Sequence, residues 1–284
     1  MSLLHVIILA VVQGLTELLP VSSSAHVVVA EKLMGMDASS PEMTLLLIML
    51  HTGTMFAVIV YFWKQWRAAY FETVEAFLQS AWLVILATAI TGVIGEGLVK
   101  LIEHITHADV EQLFDHLELI APALAAVGIL ILIAGSVEKR LPSAKAKDPI
   151  GLSGGQAALI GAVQGLTLPF RGFSRSGATI STGMLAGVAK ARAETFSFAL
   201  AVLVTPPVIA REALRFLRAE HAGAGVSIGA AILPISVGTV CAFLAGLVAL
   251  KWLSGWLEGG RWYLFGIYCL VAAVAVLALH HAGF

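Results

Sequence analysis

The chain has 284 residues, of which 59% are hydrophobic and 12% charged, and its formal net charge is -1. Soluble domains carry about 25% charged residues, so this composition excludes an ordinary soluble protein and predicts an all-α, polytopic membrane protein. The near-zero net charge also excludes the extended basic surface with which proteins bind nucleic acid.

The predicted elements form two similar series along the chain. An apolar region at residues 3–34 is interrupted near its middle by proline and serine, and a second one at 152–188 by proline, glycine and serine. Each is followed by three apolar stretches of the length that a spanning helix needs, which is about 20 residues. These six predicted spans are 43–63, 81–102, 117–137, 195–217, 226–250 and 262–280.

The two interrupted regions are predicted to be re-entrant helix-loop-helix hairpins. In 152–188 the arms are too short for a bilayer of about 30 Å at about 1.5 Å per residue. One hairpin plus three spans is an odd number of crossings, so the second half is expected to be inverted, and paired broken helices point to a binding site. The sequence thus predicts one membrane domain, 1–284, made of repeats at approximately 1–137 and 152–284 joined by a cytoplasmic loop, 138–151.

The distribution of lysine and arginine predicts the orientation of the chain. The loop 138–151 contains four of these residues, and the positive-inside rule places it in the cytoplasm. Both ends of the chain and the acidic loop 103–118 are then expected to face outward.

The first hairpin carries an acidic motif. The pentapeptide Val-Gln-Gly-Leu-Thr occurs at 12–16 and again at 163–167. Gln13 and Glu17 are spaced i and i+4, on one face of a helix. A carboxylate within the membrane costs about 3 kcal/mol on insertion scales, so Glu17 is expected to be functional. The alternative is a carboxylate that extends to the membrane interface.

Three serines and a histidine follow this motif after Pro20. Ser22, Ser23 and Ser24 precede the second arm, where serine most often caps the helix. His26 lies one helical turn beyond Ser23 and is predicted to take its proton, with Glu17 orienting the imidazole. Ser23 is then the expected nucleophile, while direct attack by His26, or activation of water by it, stays open.

The second hairpin carries a cationic motif. Glycine lets the backbone approach a ligand, N–H groups at a helix start bind anions, and arginine binds phosphate through two hydrogen bonds. This motif predicts a phosphate-binding cradle, and the alternative is that its arginine simply pairs with Glu17. The predicted cradle residues are Arg171, Gly172, Ser174, Arg175, Ser176 and Thr179, and Ser22 of the first hairpin is also predicted to bind the phosphate. His51, in the first span, is expected to pack or to line the site.

The two motifs resemble those of the undecaprenyl pyrophosphate phosphatase family, of the bacitracin-resistance type. The resemblance lies in Gln-Gly-Leu-Thr-Glu with Pro-Val-Ser-Ser-Ser-Ala-His, and in Gly-Phe-Ser-Arg-Ser-Gly-Ala-Thr. It implies a bacterial inner-membrane hydrolase, with its site toward the periplasm, that converts undecaprenyl diphosphate to undecaprenyl phosphate. Such an enzyme recycles the lipid carrier for peptidoglycan synthesis and confers bacitracin resistance.

The resemblance also implies a divalent cation, Mg²⁺ or Ca²⁺, with Glu17 and Gln13 as candidate ligands and a possible homodimer. Two residues depart from the family pattern: Gln13 stands where many members have glutamate, and Arg171 where they usually have proline. The alternative function is a secondary transporter or lipid flippase, because inverted repeats with broken helices also occur in transporters.

Overall fold

A computed structural model describes residues 2–36, 41–108, 110, 116–138, 152–221 and 228–283, and these residues form ten α-helices and no strand. This confirms the all-helical class that the composition predicts. The helices are α1 Leu3–Leu18, α2 Ser23–Leu33, α3 Pro41–Tyr70, α4 Val74–Thr106, α5 Leu117–Glu138, α6 Gly154–Thr167, α7 Arg175–Leu185, α8 Lys190–His221, α9 Ile228–Glu258 and α10 Trp262–His281.

The first interrupted region forms two short helices, α1 and α2, which we call the first helix pair. α1 ends where Leu19 precedes Pro20 and becomes extended, with φ -74° and ψ 150°. The proline ring disfavours a helical conformation in the residue before it, so the break is set locally. The two helices have 16 and 11 residues. At about 1.5 Å per residue, neither reaches across a bilayer of about 30 Å.

The second interrupted region forms α6 and α7, the second helix pair, with 14 and 11 residues. α6 begins with a capping box, in which the Ser153 hydroxyl accepts from the Gln156 backbone and the Gln156 side chain accepts from the Ser153 backbone. Ser174 caps α7 by accepting from the backbone N–H of Gly177. Both regions therefore contain the helix, break and helix that their sequences predict.

Five helical stretches of the described chain are long and apolar enough to cross a membrane, and they coincide with five of the six predicted spans. They are Met43–Tyr70, Val74–Thr106, Leu117–Val137, Ile232–Glu258 and Trp262–His281. The sixth predicted span, 195–217, is helical throughout within α8, but several of its side chains lie outside the described residues. Residues 139–151 of the predicted cytoplasmic loop and residues 109 and 111–115 of the acidic loop also lie outside the described residues.

The two halves of the chain are interlocked by helix packing. α1 of the first half packs against α9 of the second, and α4 of the first half packs against α6 of the second. Gly14 and Gly165, which occupy one position of the repeated pentapeptide, permit these close approaches. A Cβ at Gly14 would lie 2.6 Å from that of Ala245, and one at Gly165 would lie 2.9 Å from the carbonyl oxygen of Thr91. The repeated sequence thus packs each helix pair against the opposite half.

Candidate active site between the two helix pairs

The breaks of the two helix pairs contact each other. The backbone N–H of Gly172 donates to the hydroxyl of Ser24 at 3.4 Å, and the hydroxyl of Ser176 donates to the Leu19 carbonyl at 3.3 Å. Gly172 has a φ of 94°, and a Cβ there would lie 2.5 Å from the carbonyl oxygen of Ile120 in α5. Only glycine fits this position without a shift of the surrounding backbone. The two motifs, half a chain apart in sequence, therefore form one site.

Glu17 lies at the centre of this site, in the last turn of α1. Its Oε1 accepts from Nη2 of Arg175 at 2.8 Å. Its Oε2 accepts from the Ser23 hydroxyl at 2.5 Å and from Nε2 of Gln13 at 3.2 Å. The Glu17 side chain is 14% exposed and that of Arg175 is 22% exposed, so the ion pair is largely withdrawn from solvent. The pairing of Arg175 with Glu17, an alternative in the sequence analysis, is thus present.

Ser23 is presented to Glu17 by a strained residue. Ser22 precedes the first residue of α2 and has φ 67° and ψ 96°, a conformation that a residue with a Cβ rarely adopts. Such conformations cost about 1–3 kcal/mol and concentrate at functional sites. The turn at Ser22 brings the first hydroxyl of α2 back against the end of α1.

His26 does not contact the Ser23 hydroxyl in the way that the sequence predicts. Its Nδ1 lies 2.7 Å from the Ser22 carbonyl oxygen, and its Nε2 lies 2.7 Å from the hydroxyl of Tyr268 in α10. A carbonyl oxygen only accepts hydrogen bonds, so Nδ1 carries the proton and Nε2 accepts from the tyrosine. The imidazole turns toward the start of its own helix, and the hydroxyl of Ser23 donates to Glu17 instead. The carboxylate is therefore the group placed to take the serine proton.

The hydroxyls of the second helix pair are mostly committed to local structure. Ser174 accepts from the Gly177 backbone, and Thr179 bonds the Arg175 carbonyl at 2.8 Å and the Ser197 hydroxyl at 2.5 Å. Ser174, Ser176 and Thr179 are all buried. Their bonds fix the start of α7 and with it the direction of the arginine. Arg171 is half-buried in the break.

A small cavity that could hold about one water molecule also borders Glu17. His51 of α3 lines it, with Nε2 3.7 Å from Oε2 of Glu17. The sequence analysis expected His51 to pack or to line the site, and it lines it. The remaining lining residues are Leu18, Thr54, Met55, Val58, Arg175, Ala201, Val202 and Thr205.

Two contacts of the site could not be predicted from the sequence. Tyr268 stands 242 residues from His26, in an apolar span whose pattern shows nothing beyond membrane crossing. The approach of His51 to Glu17 depends on how α3 is rotated against α1.

Glu17 offers one carboxylate as a candidate ligand for a divalent cation. Within the described part of the chain, no three His, Cys, Asp or Glu side chains cluster as a metal site would require. Glu17 carries oxygen ligands of the type that Mg²⁺ and Ca²⁺ prefer, whereas Gln13 turns the nitrogen of its amide toward Glu17. Mg²⁺ is commonly held by one or two carboxylates together with substrate phosphates, and Glu17 supplies one carboxylate of this kind.

The fold and the site define a class: an integral membrane protein that brings a carboxylate, a hydroxyl and a guanidinium together between two broken helix pairs. Residues 6–275 match the family model described as bacitracin resistance protein BacA, and the chain belongs to this family. The resemblance drawn from the two motifs is thereby confirmed.

Named relatives match over nearly their whole length. The chain is 56% identical over 293 residues to Undecaprenyl-diphosphatase 2 of Acinetobacter baylyi, covering 98% of each. It is 32% identical over 280 residues to Undecaprenyl-diphosphatase of Parabacteroides distasonis, again covering 98% of each. It is also 32% identical over 288 residues to Undecaprenyl-diphosphatase 2 of Burkholderia ambifaria, covering 98% of this chain and 96% of that one.

Proposed function

We propose that this protein is an undecaprenyl-diphosphatase, a membrane hydrolase that converts undecaprenyl diphosphate to undecaprenyl phosphate and inorganic phosphate. The observation that carries the proposal is the contact of Arg175 and Ser23 with one carboxylate, Glu17, beside a cavity. These are the groups that phosphoryl transfer requires: a cation for the phosphate charge, a nucleophile and a base. The names of the relatives agree with this reaction.

Arg175 is the group that binds the terminal phosphate in this proposal. Its pairing with Glu17 at 2.8 Å is the resting arrangement of the site. A diphosphate that enters the site accepts hydrogen bonds from the guanidinium in place of the carboxylate. Arginine can bond two phosphate oxygens at once and stabilises the charge that develops on the transferred group. The exchange also frees Glu17 to act as a base.

Ser23 is the proposed nucleophile and Glu17 its base. The serine proton passes to Oε2 of Glu17 while Oγ forms a bond to the terminal phosphorus. The bond from that phosphorus to the bridging oxygen breaks, and its electron pair leaves with undecaprenyl phosphate. The proton that Glu17 has taken leaves with this phosphate, which restores the carboxylate. Water then attacks the phosphoserine and loses a proton to Glu17, the bond from phosphorus to Oγ breaks, and Glu17 returns that proton to Oγ as inorganic phosphate leaves. His26, which the sequence analysis assigned as the base, here fixes the turn at Ser22 through its Nδ1.

A divalent cation, Mg²⁺ or Ca²⁺, is proposed to join the substrate at Glu17 and Gln13. When bound, it would neutralise part of the diphosphate charge. The chain itself contributes the carboxylate of Glu17, which Arg175 and Ser23 hold in place. The amide nitrogen of Gln13 donates to this carboxylate at 3.2 Å.

The membrane arrangement proposed here has both helix pairs re-entering from opposite faces, with the site open to the periplasm of a bacterial inner membrane. Two observations support it. All four helices of the pairs are too short to span a bilayer, and each pair packs against the opposite half of the chain. The prenyl tail would then lie along the apolar surfaces of the spans while the diphosphate reaches the site. In this setting the reaction returns the lipid carrier to peptidoglycan synthesis.

Phosphate release from undecaprenyl diphosphate by purified protein in detergent tests the function. The wild type is expected to release phosphate and to lose activity when a chelator is added. Glu17→Ala and Arg175→Ala are expected to be inactive while still folded. Glu118→Gln is a matched control, because Glu118 also lies 3.7 Å from a histidine, His280, but its side chain is 58% exposed and does not line the cavity. A wild type that releases no phosphate in detergent would refute the proposal, and a flippase would show this result because transport needs a sealed vesicle.

A further inference from the structure

Two adjacent residues of α10 hold the first break close to its bend. The thiol of Cys269 donates to the carbonyl oxygen of Pro20 at 3.3 Å. The hydroxyl of Tyr268 lies 2.7 Å from Nε2 of His26, and Nδ1 of that imidazole donates to the Ser22 carbonyl oxygen at 2.7 Å. Two carbonyl groups of the break, one before Ser22 and one on it, are therefore held from α10.

The turn at Ser22 depends on such contacts because its backbone is strained. Ser22 has φ 67° and ψ 96°, and its side chain makes no capping bond to α2. A residue with a Cβ keeps a conformation of this kind only where the surrounding structure imposes it. If the turn relaxed, the hydroxyl of Ser23 would move away from Oε2 of Glu17, to which it donates. The geometry of the proposed nucleophile thus depends on the contacts that hold Ser22.

α10 can hold this turn because α5 fixes it in place. These two helices pack more extensively than any other pair in the described chain. They are also close together, since a Cβ at Gly266 of α10 would lie 2.8 Å from the carbonyl oxygen of Gly128 in α5. α5 in turn contacts the second break, where a Cβ at Gly172 would lie 2.5 Å from the Ile120 carbonyl oxygen. One pair of packed helices therefore contacts both breaks, α10 the first and α5 the second.

Burial alone does not distinguish Cys269, because cysteine commonly serves as a small buried apolar residue. Cys241 of α9 has this role and packs against the apolar cluster that contains Val6 and Leu9. The thiol of Cys269 instead donates to the Pro20 carbonyl, which receives no backbone N–H within the described chain. It thus satisfies an acceptor that the end of α1 leaves open.

We propose that Tyr268 and Cys269 are positioning residues of the reaction, which together hold the turn at Ser22 so that the Ser23 hydroxyl stays on Glu17. The inference rests on the proposed function, in which Ser23 is the nucleophile. The two residues act by limiting the conformations of the first break. Their loss should therefore lower kcat rather than weaken the binding of substrate.

The test uses variants that each change one hydrogen bond. Tyr268→Phe keeps the ring and removes the hydroxyl, Cys269→Ala removes the thiol, and Cys269→Ser keeps a donor for the Pro20 carbonyl. Cys241→Ala is the matched control, because it makes the same change within an apolar cluster. The kcat and KM of phosphate release from undecaprenyl diphosphate are measured in detergent, together with thermal unfolding.

Tyr268→Phe combined with Cys269→Ala is expected to lower kcat about 20-fold with KM within about twofold, because each lost bond accounts for about four- to fivefold. Tyr268→Phe combined with Cys269→Ser should show only the roughly fivefold loss of Tyr268→Phe alone, and Cys241→Ala should match the wild type. Equal kcat in the alanine and serine forms, or an alanine form within about twofold of the wild type, would overturn the assignment. Should the double variants not fold, Cys269→Ala and Cys269→Ser alone make the same comparison.

Ser22→Gly separates positioning from general stability. Glycine adopts a positive φ without strain, so in this variant the turn depends less on α10. Adding Tyr268→Phe and Cys269→Ala to Ser22→Gly should lower kcat less than about threefold relative to Ser22→Gly alone. A loss of about 20-fold in this background would mean that the two residues act through the fold as a whole, which would refute the positioning role. If the wild type and Cys241→Ala release no phosphate, the proposed function fails rather than this role.

Discussion

The two helix pairs share a backbone plan but differ in their chemistry. Gln13 and Gln164 hold the same position of the repeated pentapeptide, yet Gln13 donates to Glu17 whereas Gln164 donates to Thr91 at 3.4 Å. Four residues on, the first pair has Glu17 and the second has Leu168. The duplicated sequence provides two packing scaffolds, and single substitutions at equivalent positions provide an acid on one side only.

The breaks of the two helix pairs also differ in their chemistry. The first contains a strained serine, Ser22, that directs a hydroxyl at Glu17, while the second contains Gly172, whose φ of 94° allows contact with α5. The described hydroxyls of Ser174, Ser176 and Thr179 are buried and hydrogen-bonded, and the group of the second pair that donates to Glu17 is Arg175. The proposed nucleophile and base therefore both come from the first helix pair, and the second pair adds the guanidinium of Arg175.

The largest expected effect comes from removing the contribution of the second pair. Arg175→Ala should lower kcat/KM about 10⁴-fold, because the transferred phosphate loses its charged partner. Steady-state phosphate release measures this. Combined with Glu17→Ala, the loss should be far smaller than the product of the two single losses, because the two residues act as one unit. Independent, multiplying effects would show that the ion pair has no role in the reaction.

Substitutions in the first pair separate the serine from the histidine. Ser23→Ala should lower kcat about 10³-fold, because it removes the hydroxyl that donates to Glu17. His26→Gln should retain more activity than Ser23→Ala, because His26 contacts only Ser22 and Tyr268 by hydrogen bonds. The measurement is single-turnover phosphate release with folding checked by unfolding temperature. Near-normal turnover in Ser23→Ala, with none in His26→Gln, would exclude the serine route.

A substitution in the break of the second helix pair is expected to lower the stability of the fold. Gly172→Ala is expected to destabilise the fold by about 3 kcal/mol, since the new Cβ meets the Ile120 carbonyl and the φ is unfavourable. Gly35→Ala is the matched control: its φ is 62°, but no atom lies within 4 Å of the new Cβ, so about 1 kcal/mol is expected. Thermal unfolding in detergent compares the two, and equal costs would show that contact with α5 is loose.

A smaller effect is expected from the contact that the sequence did not reveal. Tyr268→Phe keeps the ring that stacks on His26 but removes the hydroxyl 2.7 Å from Nε2. Loss of one neutral hydrogen bond is worth about 1 kcal/mol, so kcat should fall about fivefold. The measurement is the rate of phosphate release by Tyr268→Phe compared with that by Tyr263→Phe, which makes the same change on the same helix. A larger loss than that of Ser23→Ala would mean that His26 takes part in the chemistry directly.

The smallest effect is expected from the equivalent glutamine of the second pair. Gln164→Ala should change kcat less than twofold, because Gln164 contacts Thr91 and not the carboxylate, whereas Gln13→Ala should cost about tenfold through loss of a bond to a charged group. Parallel activity assays make the comparison. Equal losses would mean that the glutamines serve packing in both halves.

Much of the site followed from local sequence. Pro20 and the glycines placed the breaks, and the intramembrane Glu17, the serines and Arg175 were selected because polar groups are costly in an apolar segment. The hydrogen-bond partner of each of these side chains could not be predicted from local sequence. Ser23 and His26 lie within one helical turn, which favoured their pairing, but the turn at Ser22 directs the hydroxyl to Glu17 and the imidazole to α10.

The sequence by itself determined that this chain crosses a membrane, where its helices break and which polar residues stand at the breaks. These properties depend on transfer free energy and on backbone restrictions that act within a few residues. Only the tertiary structure decided that Glu17 would meet Arg175 and Ser23, and that His51 would face the same carboxylate. Those contacts depend on the rotation and close approach of helices far apart in sequence, which the packing of the two interlocked halves fixes.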